Sequence, residues 1–166
     1  MADWARWLDL PPVTEERCAL GDLSDQARWD ARWRDASVGK PSAFVVATAE
    51  RLPRSGRALD VAGGTGANAL FLAESGLDVT LVDVSPVALG ITSAEAQARG
   101  LAVQTLAVDL ERASLPAGPW DVLVLTNYLQ RSLFDLLPAW MAPCGVVVCE
   151  HPTVRNLERN PRPSRR

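Results

Sequence analysis

Ala58-Leu59-Asp60-Val61-Ala62-Gly63-Gly64-Thr65-Gly66-Ala67-Asn68 is the stretch that decides how this chain folds. A short apolar run leads into an acid and then a loop of small residues, and Ala69-Leu70-Phe71-Leu72-Ala73 follows as helix. Strand, glycine turn and helix in that order open a nucleotide-type α/β crevice. Gly64 and Gly66 let the backbone turn tightly and let a ligand approach it with no Cβ in the way. The loop alone leaves the ligand open, because Gly64-x-Gly66-x-x-Ala69 also satisfies the loose dinucleotide fingerprint.

Three acids narrow the choice. Asp60 precedes the glycines, Asp83 ends the next apolar run and Asp109 ends the one after. Alternation of strand and helix puts all three at the carboxyl ends of parallel strands, where open α/β sheets bind ligands. Asp83 suits any ribose. A carboxylate at Asp60 would repel a bound pyrophosphate, and the loop holds no Lys or Arg to offset it. A ligand carrying an ammonium, a sulfonium, a ribose and an adenine amine suits all three acids. S-adenosylmethionine is such a ligand.

Residues 60–68, Val79-Thr80-Leu81-Val82-Asp83-Val84-Ser85-Pro86, Ala107-Val108-Asp109-Leu110 and Ala142-Pro143-Cys144-Gly145-Val146-Val147-Val148 resemble, in order and spacing, the motifs of class I S-adenosylmethionine-dependent methyltransferases. The nearest likeness is to the small, tellurite-resistance-like branch, over residues 29–153. The resemblance implies a Rossmann-like, doubly wound α/β fold with a mostly parallel sheet in order 3-2-1-4-5. It also implies a site. Asp60 and the backbone of Ala62, Gly63, Gly64 and Gly66 would surround the methionine moiety, with Asp60 near its ammonium. Asp83, followed by Val84, would take the ribose hydroxyls, and Asp109 with Leu110 would read adenine. Asn127 would stand near the methyl donor and Tyr128 would wall the transfer site. In Trp29-Asp30-Ala31-Arg32-Trp33, Arg32 would pair with the cofactor carboxylate and Trp33 would cover it.

Plainer readings stand beside these. Trp29 and Trp33, four apart, share a helix face and can simply pack that helix onto the domain. Asp60 can cap the glycine turn, and Asn68 is expected to cap the following helix rather than reach the ligand. Relatives of this branch often have a histidine where this chain has Gln130, so no catalytic residue is assigned. His151, the one histidine, follows Glu150 on the ligand edge. No zinc-type spacing and no G-x-S-x-G elbow occur, so no metal is expected.

The chain has 166 residues, a net charge of −3, 48% hydrophobic and 22% charged residues, which fits one globular domain and gives no reason to expect nucleic-acid binding. Three cysteines (Cys18, Cys144, Cys149) without metal spacing suggest free thiols in a reducing compartment. With no signal-peptide pattern and no run long enough to span a membrane, a cytoplasmic protein is expected.

The expected organisation is an N-terminal arm over 1–23, a cofactor-binding domain over 24–153 and an Arg/Pro-rich tail over 154–166. Helices are predicted over 24–35 and 41–51, from the glycine loop to Ser75, from Ser85-Pro86 to Gly100, and over 129–141, where Pro138 can kink the last. Strands are predicted over 57–62, 78–82, 101–108, 120–126 and 146–150. Class I methyltransferases add a helix and an antiparallel strand pair after the fifth strand, and the polar sequence after His151 does not supply them. Two other functions therefore stay open: a non-catalytic cofactor-fold module whose strand 5 edge is covered by a partner or second copy, and a nicotinamide-dependent oxidoreductase.

Overall fold

Five apolar runs pair as strands, each ending where an acid, a glycine or a polar turn interrupts the β-branched pattern. The computed structural model describes residues 24–152. The expected arm over 1–23, with Trp4, Trp7 and Cys18, the last residue of the expected domain, Thr153, and the expected tail over 154–166 lie outside the described residues.

Helix α1 (Asp25–Trp33) is followed by α2 (Ala43–Thr48), which tightens into a 3₁₀ turn over Ala49–Arg51. Strand β1 (Arg57–Val61), helix α3 (Ala67–Glu74), strand β2 (Asp78–Asp83), helix α4 (Pro86–Arg99) and strand β3 (Val103–Ala107) then alternate. Strand β4 (Trp120–Thr126) has the predicted bounds. Two single-turn helices, α5 (Arg131–Phe134) and α6 (Leu137–Trp140), lead to β5 (Met141–Glu150). The sheet order is β3-β2-β1-β4-β5, as expected, and every pairing is parallel.

Each sheet face has its own core. One gathers Ala58, Val79, Leu81, Val122, Val124 and Val148 under the apolar sides of α2, α3 and α4. The other gathers Leu59, Val61, Val82, Leu123 and Leu125 under Leu110, Leu115 and Leu133, from the 108–119 connection and α5. Among the described residues that second face has no long helix. Residues 129–141, expected to form one helix, break after Phe134 because Pro138 has no N–H to give to the carbonyl of Phe134 and its ring crowds that oxygen. The break leaves Leu129 56% and Leu136 46% exposed. Strand β5 starts earlier than expected, at Met141, and recovers its register through a bulge at Pro143-Cys144-Gly145 before Val146 pairs with Val122. No helix among the described residues is long and apolar enough to cross a membrane.

Candidate functional site

The carboxyl ends of β1, β2 and β3 bring the acids together as the sequence implied. Asp60 lies in β1, paired with Leu81 and Val124. Asp83 ends β2, and its carbonyl accepts the Val108 amide (2.9 Å), which sets Asp109 beside it. The loop between β1 and α3 is folded by its own bonds, Gly63 N–H to the Val82 carbonyl and Gly66 N–H to the Gly63 carbonyl.

Asp60 is wholly buried, and neither carboxylate oxygen has a hydrogen-bond partner. Desolvation pushes its carboxyl up to about 7, aided by the charge of Asp83 and opposed by the Ala69 amide, which pulls on the carboxylate without meeting hydrogen-bond geometry. Its side chain lies directly under Gly63, where a Cβ would fall 2.6 Å from Oδ2. The acid that caps the glycine turn is Asp83 instead. Its Oδ2 accepts the Gly64 amide at 2.8 Å and its Oδ1 the Ser85 amide at 2.9 Å. Burial raises the Asp83 carboxyl, and the Ser85, Gly64 and Val84 amides oppose that shift. Each oxygen keeps a further lone pair.

Helix α1 lies against this loop. Trp33 and Trp29 stack with ring centroids 5.9 Å apart, and a Cβ at Gly64 would meet Trp33 Cζ2 at 3.2 Å. The Trp33 Nε1–H is buried without a partner. Arg32 is exposed, its guanidinium 5.2 Å over the Trp33 ring and 5.7 Å over Trp29. A buried unpaired acceptor therefore sits at Gly63 and a buried unpaired donor at Gly64, an arrangement that costs stability unless a ligand completes it.

The remaining candidates flank this centre. Asp109 is half-buried and closes its own turn, Oδ1 accepting the Glu111 amide at 3.1 Å, while the Leu110 side chain enters the core. Asn127 leaves β4 with φ +58°, its amide on the Glu150 carbonyl. Tyr128 donates to Gln130 Oε1 at 2.6 Å, and burial pushes its phenol up to about 12. His151 Nε2 lies 3.5 Å from Cys149 Sγ, and burial lowers the imidazole and raises the thiol. Among the described residues no group of three or more His, Cys, Asp or Glu is placed to hold a metal.

One side chain behaves differently from the sequence reading. Asn68 does not cap α3. Its Oδ1 accepts the Ser42 amide at 2.8 Å and its Nδ2 donates to Thr126 Oγ1 at 3.0 Å, while Ser42 Oγ bonds Glu150, so it ties α3 to the ends of α2, β4 and β5. Ala62 holds φ +53°, a left-handed conformation that opposes its Cβ. Ala62→Gly is expected to raise the unfolding free energy by a net ~0.5–1 kcal/mol in urea melts, after the greater freedom of the unfolded glycine is counted. A loss instead would mean that the methyl's packing outweighs the strain.

Comparison with known proteins bears on this geometry. A family model described as methyltransferase domain matches residues 58–143, just over half of the chain. TehB from Haemophilus influenzae is 23% identical, with TM-score 0.59, over 65% of this chain and 40% of its own. An S-adenosylmethionine-dependent methyltransferase from Thiobacillus denitrificans, solved with S-adenosyl-L-homocysteine, is 20% identical, with TM-score 0.57, over 77% of this chain and 55% of its own. The [4+2]-cyclase SpnF is 29% identical, with TM-score 0.52, over 62% of this chain and 42% of its own. The chain thus spans about half the length of these proteins, and at the lower identities the likeness is one of fold. No curated protein matches it in sequence. The matched segment runs from β1 to the start of β5 and contains the glycine loop with all three strand-end acids, and by that match the chain belongs to the methyltransferase-domain family of class I fold.

Proposed function

We propose that the chain binds S-adenosylmethionine at the carboxyl edge of β1, β2 and β3 and transfers its methyl group to a small-molecule nucleophile. The observation that carries this reading is the pair of unpartnered buried groups on consecutive loop residues, the Asp60 carboxylate at Gly63 and the Trp33 Nε1–H at Gly64. An α-amino-acid head group complements both, its ammonium on Asp60 and its carboxylate on Trp33 Nε1–H, with Arg32 on the rim. The free lone pairs of Asp83 suit ribose hydroxyls beside Val84, and Asp109 with the Leu110 backbone suits adenine. When bound, S-adenosylmethionine supplies a methyl already activated by its sulfonium, so in-line displacement asks the protein mainly for alignment and exclusion of water. Asn127 and Tyr128 border that end of the site. A soft anionic acceptor needs no general base, and none is assigned.

A second reading, a cofactor-fold module without methyl transfer, draws on the similarity to SpnF, a [4+2]-cyclase, and on the part-length span. In it, a partner or second copy covers the outer edge of β5. The free thiols of Cys144 and Cys149 accord with a cytoplasmic setting in either case.

Calorimetric titration of the full chain with S-adenosylmethionine, S-adenosylhomocysteine and NADH tests the cofactor. Micromolar binding of the first two alone, weakened about 100-fold or more in Asp83→Ala, is expected for a buried acid that reads ribose. NADH binding, or no binding by a folded sample, would overturn it. Radiolabelled methyl transfer to a panel of thiols, phenols and amines then separates the enzyme from the binding module.

A further inference from the structure

We infer that the methyl acceptor is an amine, and that Glu150, at the carboxyl end of β5, is the residue that binds it. This rests on the cofactor reading above and adds to it the chemical class of the substrate.

Glu150 belongs to none of the cofactor contacts, yet it is fixed beside the methyl-donor end of the crevice. It pairs with Thr126 across β4 and β5, and its carbonyl accepts the Asn127 amide at 2.9 Å. Its carboxylate is tied to the glycine-loop side of the site as well. Oε2 accepts the Ser42 hydroxyl, and the Ser42 amide donates to Asn68 Oδ1 at 2.8 Å, at the start of α3. Asn68 Nδ2 closes the ring on Thr126 Oγ1 at 3.0 Å. The Ser42 hydroxyl is itself held in place, because its Oγ also accepts the Phe44 amide at 3.1 Å as the cap of α2. One carboxylate oxygen is therefore occupied, while Oε1 has no hydrogen-bond partner among the described residues. A half-buried carboxylate in that state takes a donor, and a charged donor best.

The field at this end of the site selects the sign of the acceptor. The charges acting on the Tyr128 phenol are those of Glu111, Asp109, Asp25 and Asp83, all acids. Glu150 acts on His151 in the same sense. Arg112 pairs with Asp109 and Arg28 with Asp25, which leaves Glu111, Asp83 and Glu150 without an ion pair among the described residues. A thiolate, phenolate or carboxylate acceptor would enter against that field, and an ammonium would enter with it. An amine must lose a proton before its lone pair can form the N–C bond that replaces the methyl's C–S bond, whose electron pair stays on sulfur. Glu150 Oε1 takes that proton from the nitrogen and releases it to solvent.

The test titrates the full chain, saturated with S-adenosylhomocysteine, with matched amines, thiols and carboxylates on the same benzyl, phenethyl and n-hexyl skeletons. Calorimetry should show the amines binding about tenfold or more tightly than their matched thiols and carboxylates. Glu150→Gln keeps an oxygen for the Ser42 hydroxyl and removes the charge. It should weaken amine binding about tenfold or more, with S-adenosylhomocysteine affinity within about twofold and the urea midpoint unchanged. Thiols or carboxylates that bind as tightly as the amines, an amine preference kept in Glu150→Gln, or no amine bound by the S-adenosylhomocysteine complex would each overturn the inference. If S-adenosylhomocysteine itself does not bind, the cofactor reading fails separately. The same matched sets on the ligand-free chain then decide: an amine preference that is lost in Glu150→Gln supports the assignment of Glu150, and the absence of one overturns it.

Discussion

Asp60→Asn is expected to abolish tight binding of S-adenosylhomocysteine while making the ligand-free protein more stable. The carboxylate has no exposed surface and no hydrogen bond. Removing the anionic partner of a buried ammonium costs on the order of 3 kcal/mol or more, about 100-fold or more in affinity. The stability effect has the opposite sign. Burial raises the Asp60 carboxyl from 3.8 to about 7, so the folded protein keeps a proton that the unfolded chain releases across that interval. Its contribution is full below the unfolded value and is lost as pH rises through the folded one, on the order of 4 kcal/mol in all at 1.36 kcal/mol per unit. Asparagine removes this pH dependence but leaves a buried amide without partners, so a net gain of roughly 2 kcal/mol at pH 8 is expected. Urea melts of both proteins from pH 4 to pH 8 check it. A wild type that is flat over that range, or a variant less stable at pH 8, would contradict the account. For the same reason, wild-type affinity for a ligand bearing an ammonium should rise with pH up to the Asp60 value and level off above it.

The second large effect is one of packing. Gly66 takes φ +79° at the start of α3, and a Cβ there would fall 2.5 Å from Oγ1 and 2.9 Å from Cβ of Thr92, a wholly buried residue of α4. Gly66→Ala combines left-handed strain with overpacking between two helices that cannot both stay seated on the sheet. The expected loss is about 3 kcal/mol or more in denaturant melts. Adding Thr92→Ala removes the hydroxyl and methyl contacts and should return roughly half of it, leaving the backbone strain. A single variant within about 1 kcal/mol of wild type would mean that α3 shifts freely, and the loop would then be a poor platform for a ligand.

What was legible in the sequence was local. The glycine loop, the Ser85-Pro86 cap of α4 and the full extent of β4 follow from neighbouring residues alone, and so does the arrival of Asp60, Asp83 and Asp109 at one sheet edge. What was not legible depends on distant partners. Asn68 reads as a cap from its position, but its amide is claimed by Ser42 and Thr126, 26 and 58 residues away. The turn-capping acid proves to be Asp83 because Gly64, 19 residues away in sequence, lies beside it across the parallel pair. Asp30, between two tryptophans and an arginine, carries no local signal of its bond to the Ser85 hydroxyl, since Ser85 is 55 residues distant. For residues 129–141 the signal was present: the helical apolar spacing argued for continuity and Pro138 against it, and the proline won.

The measurement that bears most directly on the central claim compares two ligands on two proteins. S-adenosylhomocysteine and 5′-methylthioadenosine share the adenosine and the thioether, but only the first carries the amino-acid head group. Titrated calorimetrically at pH 8, Asp60→Asn should lose about 100-fold or more in affinity for S-adenosylhomocysteine and less than about threefold for methylthioadenosine. Equal losses for the two ligands, or none for either, would contradict the assignment of Asp60 to the ammonium and with it the reading of this crevice.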